Sequence, residues 1–233
     1  MKVWAISDLH LSISTPKPMN IFGQVWDNYE EEIKQDWAEK VSEDDIVLLC
    51  GDFSWAMYLK DAVCDFDFIK PLKGKKILIR GNHDFWWNSI SAVRNSLPNN
   101  CYALQNDSLK IGNFIFCGTR GWTVTESNKI QSDEDKKIYN REIIRLELAL
   151  QSAKSMQKNN EMIICLIHYP PFNSQLVDSD FTKLLEKYGA NKCVYGHLHG
   201  NKVRATLKLN KNNVEYFLTS CDQVKNKMTL IAE

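Results

Sequence analysis

The chain has 233 residues, and its 29 basic and 29 acidic side chains cancel to a formal net charge of zero. Apolar residues make up 44%, enough for a sizeable core, which excludes global disorder and suits one domain of α/β type over residues 1–233. The zero charge excludes a general field for holding nucleic acid or an anionic membrane surface.

The N-terminal run turns polar at Ser7-Asp8, too early for a signal-peptide core, so the expected location is the cytoplasm. Lys2–Ser7 reads as a strand. Trp26–Lys40 reads as a helix, with Ile33, Trp37 and Val41 recurring every four residues. Asp45–Cys50 is a short continuous apolar run, the mark of a strand buried on both faces. A helix over Met57–Ile69, a strand over Lys76–Arg80 and a short helix over Phe85–Asn95 follow. Alternation at this pitch predicts a parallel sheet with right-handed crossovers.

The second half is mixed. Ser108–Ile111 and Asn113–Gly118 flank a Gly-Asn pair and predict a hairpin. Thr119–Ser132 has no period and carries Arg120, Gly121 and Trp122; a loop of this length in a compact domain is commonly functional. Ser132 reads as the N-cap of a helix that runs to about Lys158, with Tyr139, Ile143, Leu146, Leu150 and Ala153 as its apolar stripe. Glu161–His168 is a buried strand, too short to cross a bilayer. Phe181–Tyr188 reads as a helix and Lys192–Gly196 as a strand, with further strands over Val203–Leu209, Val214–Ser220 and Met228–Ala232.

The seven cysteines are odd in number, widely scattered and without metal-binding spacing. They read as small hydrophobes in a reducing compartment. The five histidines behave differently. His10, His83, His168, His197 and His199 all follow the carboxyl ends of predicted strands, as do Asp8, Asp52 and Asn82. Ligands bind at that edge of an α/β sheet. Imidazole, carboxylate and amide oxygen without thiolate suit a borderline divalent metal, and the donors outnumber what one tetrahedral ion takes.

The motifs Asp8-Leu9-His10, Gly51-Asp52, Gly81-Asn82-His83-Asp84, His168 and Gly196-His197-Leu198-His199 resemble, in order, the signature of the calcineurin-like metallophosphoesterase superfamily. The resemblance implies a two-sheet β-sandwich of mixed sheets flanked by helices. It implies two divalent ions (Mn, Fe, Zn, Ni or Co) at one end. Asp8, His10, Asp52 and His199 would hold one, and Asp52, Asn82, His168 and His197 the other, with Asp52 bridging. A hydroxide held between the ions would then attack a phosphodiester or phosphomonoester. His83 would be the catalytic histidine, and Asp84 is placed in sequence either to orient it or to cap the next helix.

The chain lacks the Asp-Arg-Gly element of the protein-phosphatase branch, and its flanking segments resemble a bacterial group of predicted phosphohydrolases. Trp55 and Trp122 are candidate pocket walls, and Arg120 a candidate phosphate contact. The expected partner is a small phosphoester, with no membrane and no strong nucleic-acid signal; monoester or diester preference stays open. The rival reading is a catalytically silent binding scaffold on the same fold.

Overall fold

The structure is a computed structural model that describes residues 1–200, 203 and 206–233. Its strands are β1 (Val3–Ala5), β2 (Ile46–Leu49), β3 (Lys75–Leu78), β4 (Cys101–Ala103), β5 (Asp107–Ile111), β6 (Phe114–Thr119), β7 (Met162–Ile167), β8 (Lys192–Tyr195), β9 (Lys208–Lys211), β10 (Val214–Leu218) and β11 (Thr229–Ala232). The helices are α1 (Tyr29–Lys40), α2 (Leu59–Ile69), α3 (Ile90–Ser96), α4 (Asp133–Met156) and α5 (Asp180–Lys187). One sheet has the order β11-β1-β2-β3-β4, parallel except for β11. The other has the order β5-β6-β7-β8-β10-β9, with antiparallel strands only at its two edges. The expected sandwich of mixed sheets is therefore the fold.

Strand alternation decides what each sheet face buries. Val3, Ala5, Ile46, Leu48 and Ile77 meet Phe116, Ile164, Leu166 and Val194 between the sheets. The intervening residues Trp4, Val47 and Leu49 pack outward under Ile33 and Trp37 of α1 and Phe66 of α2. In the second sheet Ile115, Cys117, Ile163 and Cys165 pack outward against Leu146, Leu150 and Ala153 of α4 and Leu185 of α5. Six of the seven cysteines are buried and all are free, so they serve as packing.

The two sheets join at one edge. Beyond β1, Ser7 N donates to Thr219 O (2.8 Å) and Cys221 N donates to Ser7 O (2.9 Å). The Ser7 hydroxyl lies 2.8 Å from the Thr219 hydroxyl and accepts from Cys50 N at 3.0 Å. The loops leaving β1, β2, β7, β8 and β10 are thus held on one frame, at the edge where the sequence gathers its histidines.

Some boundaries differ from expectation. The helix expected from Phe85 begins at Ile90, with the Ser89 hydroxyl accepting from Ala92 N (3.4 Å). Trp86 and Trp87 are instead drawn into the core, on a turn in which Trp87 N donates to Asp84 O at 3.2 Å. The short strand β4 was not expected. Part of the strand expected over 203–209 lies outside the described residues; β9 starts at Lys208 and turns into β10 through Asn212 and Asn213, both with positive φ. Ser132 caps α4 as expected, accepting from Asp135 N at 3.1 Å. Among the described residues no helix is long and apolar enough to cross a membrane.

Candidate metal centre

Asp8, His10, Asp52 and His199 each offer a ligand atom, and those atoms all lie within 4.8 Å of one another. Four of the residues predicted as ligands, Asp8, His10, Asp52 and His197, adopt φ of 59°, 47°, 50° and 71°. A left-handed conformation costs a non-glycine residue on the order of 1 kcal/mol, and such strain gathers at functional sites. The adjacent glycines fit the same crowding. A Cβ on Gly81 would lie 2.1 Å from Asp52 Oδ1, and one on Gly196 would lie 2.2 Å from Asp8 Oδ2.

Asn82, His168 and His197 form a second group beside the first. Asn82 Oδ1 lies 2.7 Å from His168 Nε2 and 2.8 Å from His197 Nδ1, and these two nitrogens are 3.3 Å apart. The Asp52 carboxylate stands between the groups, with Oδ2 3.5 Å from His168 Nε2 and 3.8 Å from His10 Nε2.

The polarity of these contacts is what suits a cation. His168 Nδ1 faces the Cys50 carbonyl at 2.9 Å, which accepts only, so in the neutral ring the hydrogen sits on Nδ1. The Nε2 lone pair then points at the oxygens of Asn82 and Asp52. His199 Nδ1 donates to Asp222 Oδ1 (2.9 Å), and its Nε2 faces Asp8 Oδ1 and His10 Nε2, each at 3.3 Å, where without an ion a proton on the ring answers the Asp8 carboxylate. Acceptors converging on acceptors in a buried site repel unless a positive charge sits among them. The donor set of nitrogen and oxygen without thiolate fits borderline divalent ions.

The protonation equilibria carry the same demand. Burial pushes His10 and His197 down to about 3, keeping them neutral at pH 7. Burial would also lower His199, but the carboxylates of Asp8 and Asp222 outweigh it and push the ring up to about 10. Burial raises Asp52, and the neighbouring Asp8 carboxylate adds to this, up to about 8. Against its own burial, Asp8 is held well below the usual carboxylate range by His199, His168 and His10. At pH 7 the ion-free centre therefore holds protons on Asp52 and His199 that a metal must displace. Loading with Mn²⁺ at pH 7 is expected to release roughly two protons from side chains, and affinity is expected to rise with pH up to about 8, and less steeply on toward about 10 as His199 loses its proton. Calorimetric titrations in buffers of different ionisation enthalpy count those protons; no release would refute the assignment.

The other predicted site residues divide. His83 lies beside the centre, its ring 5.7 Å from that of His10 and 4.6 Å from that of Trp55. Its backbone N donates to Asp52 Oδ1 at 2.7 Å. Trp55 stacks on His10 at 4.8 Å, so it does border the site. Asp84 does not bond to the His83 ring among the described residues, and it caps no helix. Its buried carboxylate accepts from Phe53 N (2.9 Å), Ser54 N (3.2 Å), Gly81 N (2.7 Å) and Trp86 Nε1 (2.9 Å), tying together the loops that carry Asp52 and Asn82. It is a positioning residue.

Trp122 sits behind the site, its ring 5.2 Å from Tyr169, with its Nε1 donating to Asp135 Oδ1 (3.1 Å). Arg120 turns away too: its guanidinium lies 4.9 Å from the Trp122 ring and 3.8 Å from Glu142, and only its carbonyl reaches toward the centre, accepting from His168 N (3.0 Å).

Two residues join the site without having been expected. The Tyr169 ring lies 4.1 Å from that of His197. Asp222 fixes His199 and also accepts from Gly200 N at 2.8 Å. Asp222 lies beyond the β10 run at the same strand edge as the ligands, and that was the available signal. Partners that fix a ligating imidazole typically contribute ten- to a hundredfold in metal affinity. Asp222→Ala is expected to weaken metal binding by about that factor, read by competition with a chromophoric chelator; unchanged affinity would remove Asp222 from the site.

A sandwich of two mixed sheets with a buried His/Asp/Asn cluster at one strand edge is the architecture of a metallophosphoesterase. The chain belongs to the calcineurin-like phosphoesterase family, whose sequence profile matches residues 1–201. No curated protein sequence matches it. Among solved structures it is similar to a Thermus thermophilus protein (TM-score 0.60, 11% identity, covering 99% of this chain and 97% of that one). It is also similar to the phosphopantetheinyl hydrolase of Mycobacterium tuberculosis (0.56, 14%, 99% and 95%) and to an Aquifex aeolicus protein of unknown function (0.54, 13%, 98% and 95%). At these identities the likeness is one of fold.

Proposed function

We propose that the chain is a metal-dependent phosphoester hydrolase working with two divalent ions. The observation that carries the reading is the pair of converging donor groups sharing Asp52. Asp8, His10, Asp52 and His199 would hold one ion, and Asp52, Asn82, His168 and His197 the other. When bound, such ions supply Lewis acidity to phosphoryl oxygens and acidify a water molecule.

The chain's own residues do the rest. With Asp8 and Asp52 as the only anionic donors, a loaded centre keeps net positive charge and attracts a phosphate group in a protein that is neutral as a whole. His83, half-buried and close to His10, stands where it can pass a proton to the leaving oxygen. Trp55 and Trp26 crowd His10 and keep water from that side. The organic part of the ester has a cleft of about 560 Å³ beside His197, walled by Val124, Tyr169, Phe172, Leu176 and Leu198. Apolar walls of that kind suit an apolar or aromatic leaving group.

The test is hydrolysis of an aryl monoester and an aryl diester by Mn²⁺-loaded protein. Turnover of either, lost on chelation, is the expected result, and the preferred ester sets the subclass. Inactivity on both across Mn²⁺, Zn²⁺, Co²⁺ and Ni²⁺ would refute the reading in favour of a silent scaffold.

A further inference from the structure

A second cleft, of about 250 Å³, opens beside the metal centre where β3, β4 and β6 end, and α4 forms its outer wall. Four arginines line it: Arg80, Arg120, Arg141 and Arg145, with Asn106 and Thr119 between them. None of the seven predicted metal ligands does.

Among the described residues the only carboxylate lining the cleft is Glu142, fully buried. Its Oε1 accepts from Arg145 Nη1 at 2.6 Å, and its Oε2 accepts from the Thr119 hydroxyl at 2.9 Å. Arg120 and Arg141 stand off from Oε1, at 3.8 and 3.9 Å. Arg80 has no ion pair or side-chain hydrogen bond among the described residues, and the Nε–H groups of Arg80 and Arg120 are both buried without an acceptor. One carboxylate against four guanidinium groups leaves most of the positive charge uncompensated. A buried charged donor without a partner costs stability, and two in one cleft call for an occupant that accepts hydrogen bonds and carries negative charge.

We propose that this cleft is an anion site, separate from the metal centre, that takes a tetrahedral oxyanion of the phosphate type. Planar guanidinium forks match such oxygens, and a dianion answers the excess charge better than a single carboxylate. The cleft is coupled to the centre through the backbone: Arg80 immediately precedes Gly81-Asn82, and the Arg120 carbonyl accepts from His168 N and Tyr169 N at 3.0 and 3.1 Å. The oxyanion belongs either to the substrate, as a second phosphoryl group, or to a free effector.

The test is calorimetric titration of sulfate into Mn²⁺-loaded wild type, Arg80→Met and Arg141→Glu. Competition at the metals is common to all three, so the difference reports the cleft. Both substitutions are expected to weaken sulfate binding at least roughly tenfold. Arg141 is 53% exposed, so Arg141→Glu serves where Arg80→Met fails to fold. Equal sulfate affinity in wild type and Arg141→Glu overturns the proposal.

A kinetic arm separates the sources. A substrate phosphate predicts that Arg141→Glu raises the KM of an aryl ester bearing a second phosphate relative to that of the simple ester. An effector predicts that sulfate alters wild-type turnover of the simple ester beyond the competition at the metals and that Arg141→Glu removes that additional effect. The calorimetry reads binding alone, so its failure is distinguishable from failure of the hydrolase reading.

Discussion

Asp52→Ala is expected to lose both metal and turnover. The Asp52 carboxylate faces the Nε2 atoms of both donor sets, with Oδ2 3.8 Å from His10 Nε2 and 3.5 Å from His168 Nε2. Removing it takes away the only predicted bridge, and the remaining donors fall into two incomplete groups. Charge stabilisation by a dinuclear centre is worth several kcal/mol, so turnover should fall on the order of a thousandfold or more. Metal analysis after gel filtration should show well below the wild-type content.

Asp52→Asn sharpens the test, because it keeps the shape and the acceptor for His83 N while removing the charge. In the ion-free protein that charge is opposed by burial and by Asp8, so Asp52→Asn should melt at or above the wild-type temperature. A well-folded Asp52→Asn with full metal content and full activity would sink the bridging assignment.

The order of the fold was legible wherever burial dictates composition. β2 and β7 are covered on both faces, so their residues form unbroken apolar runs that need no partner to be recognised. The site was legible for a related reason: strand ends are visible in sequence, and every histidine follows one. The short strand β4 was hidden because its three residues carry no period and Tyr102 is half-exposed. The start of α3 was hidden because no local pattern in Phe85–Ser89 shows that Trp86 is held by Asp84 and that both tryptophans belong to the core.

Side-chain direction was the least legible property. Asp84 follows His83 in sequence, but its carboxylate points back at Gly81 and across at Phe53. Arg120 opens a loop beside the site, but its guanidinium lies near a glutamate on α4 that is 22 residues away in sequence. Both outcomes depend on which elements pack together, which local pattern does not encode.

His83→Ala is expected to divide catalysis from metal binding. The hydrogen bond of His83 to the predicted ligands is through its backbone N–H, 2.7 Å from Asp52 Oδ1, and alanine preserves it. Metal content should therefore stay at the wild-type level. Its ring nitrogens have no hydrogen-bond partner among the described residues, and its ring packs on Trp55 and His10. Burial lowers its pKa from the ordinary value, Lys17 and a protonated His199 act in the same direction, and Asp8 opposes them. The ring is therefore charged mainly at acidic pH, and a turnover that draws on its proton should fall as pH rises toward neutrality.

A positioned proton donor contributes about 10² to 10⁴ in rate, which is the expected fall in kcat. The loss should depend on the leaving group. An alkyl ester, whose alkoxide must be protonated as it departs, should suffer most, and a nitrophenyl ester, which leaves as a stable anion, should suffer little. A uniform loss across both esters with metal intact would instead assign His83 to holding the phosphoryl oxygens, and no loss with either would remove it from the chemistry.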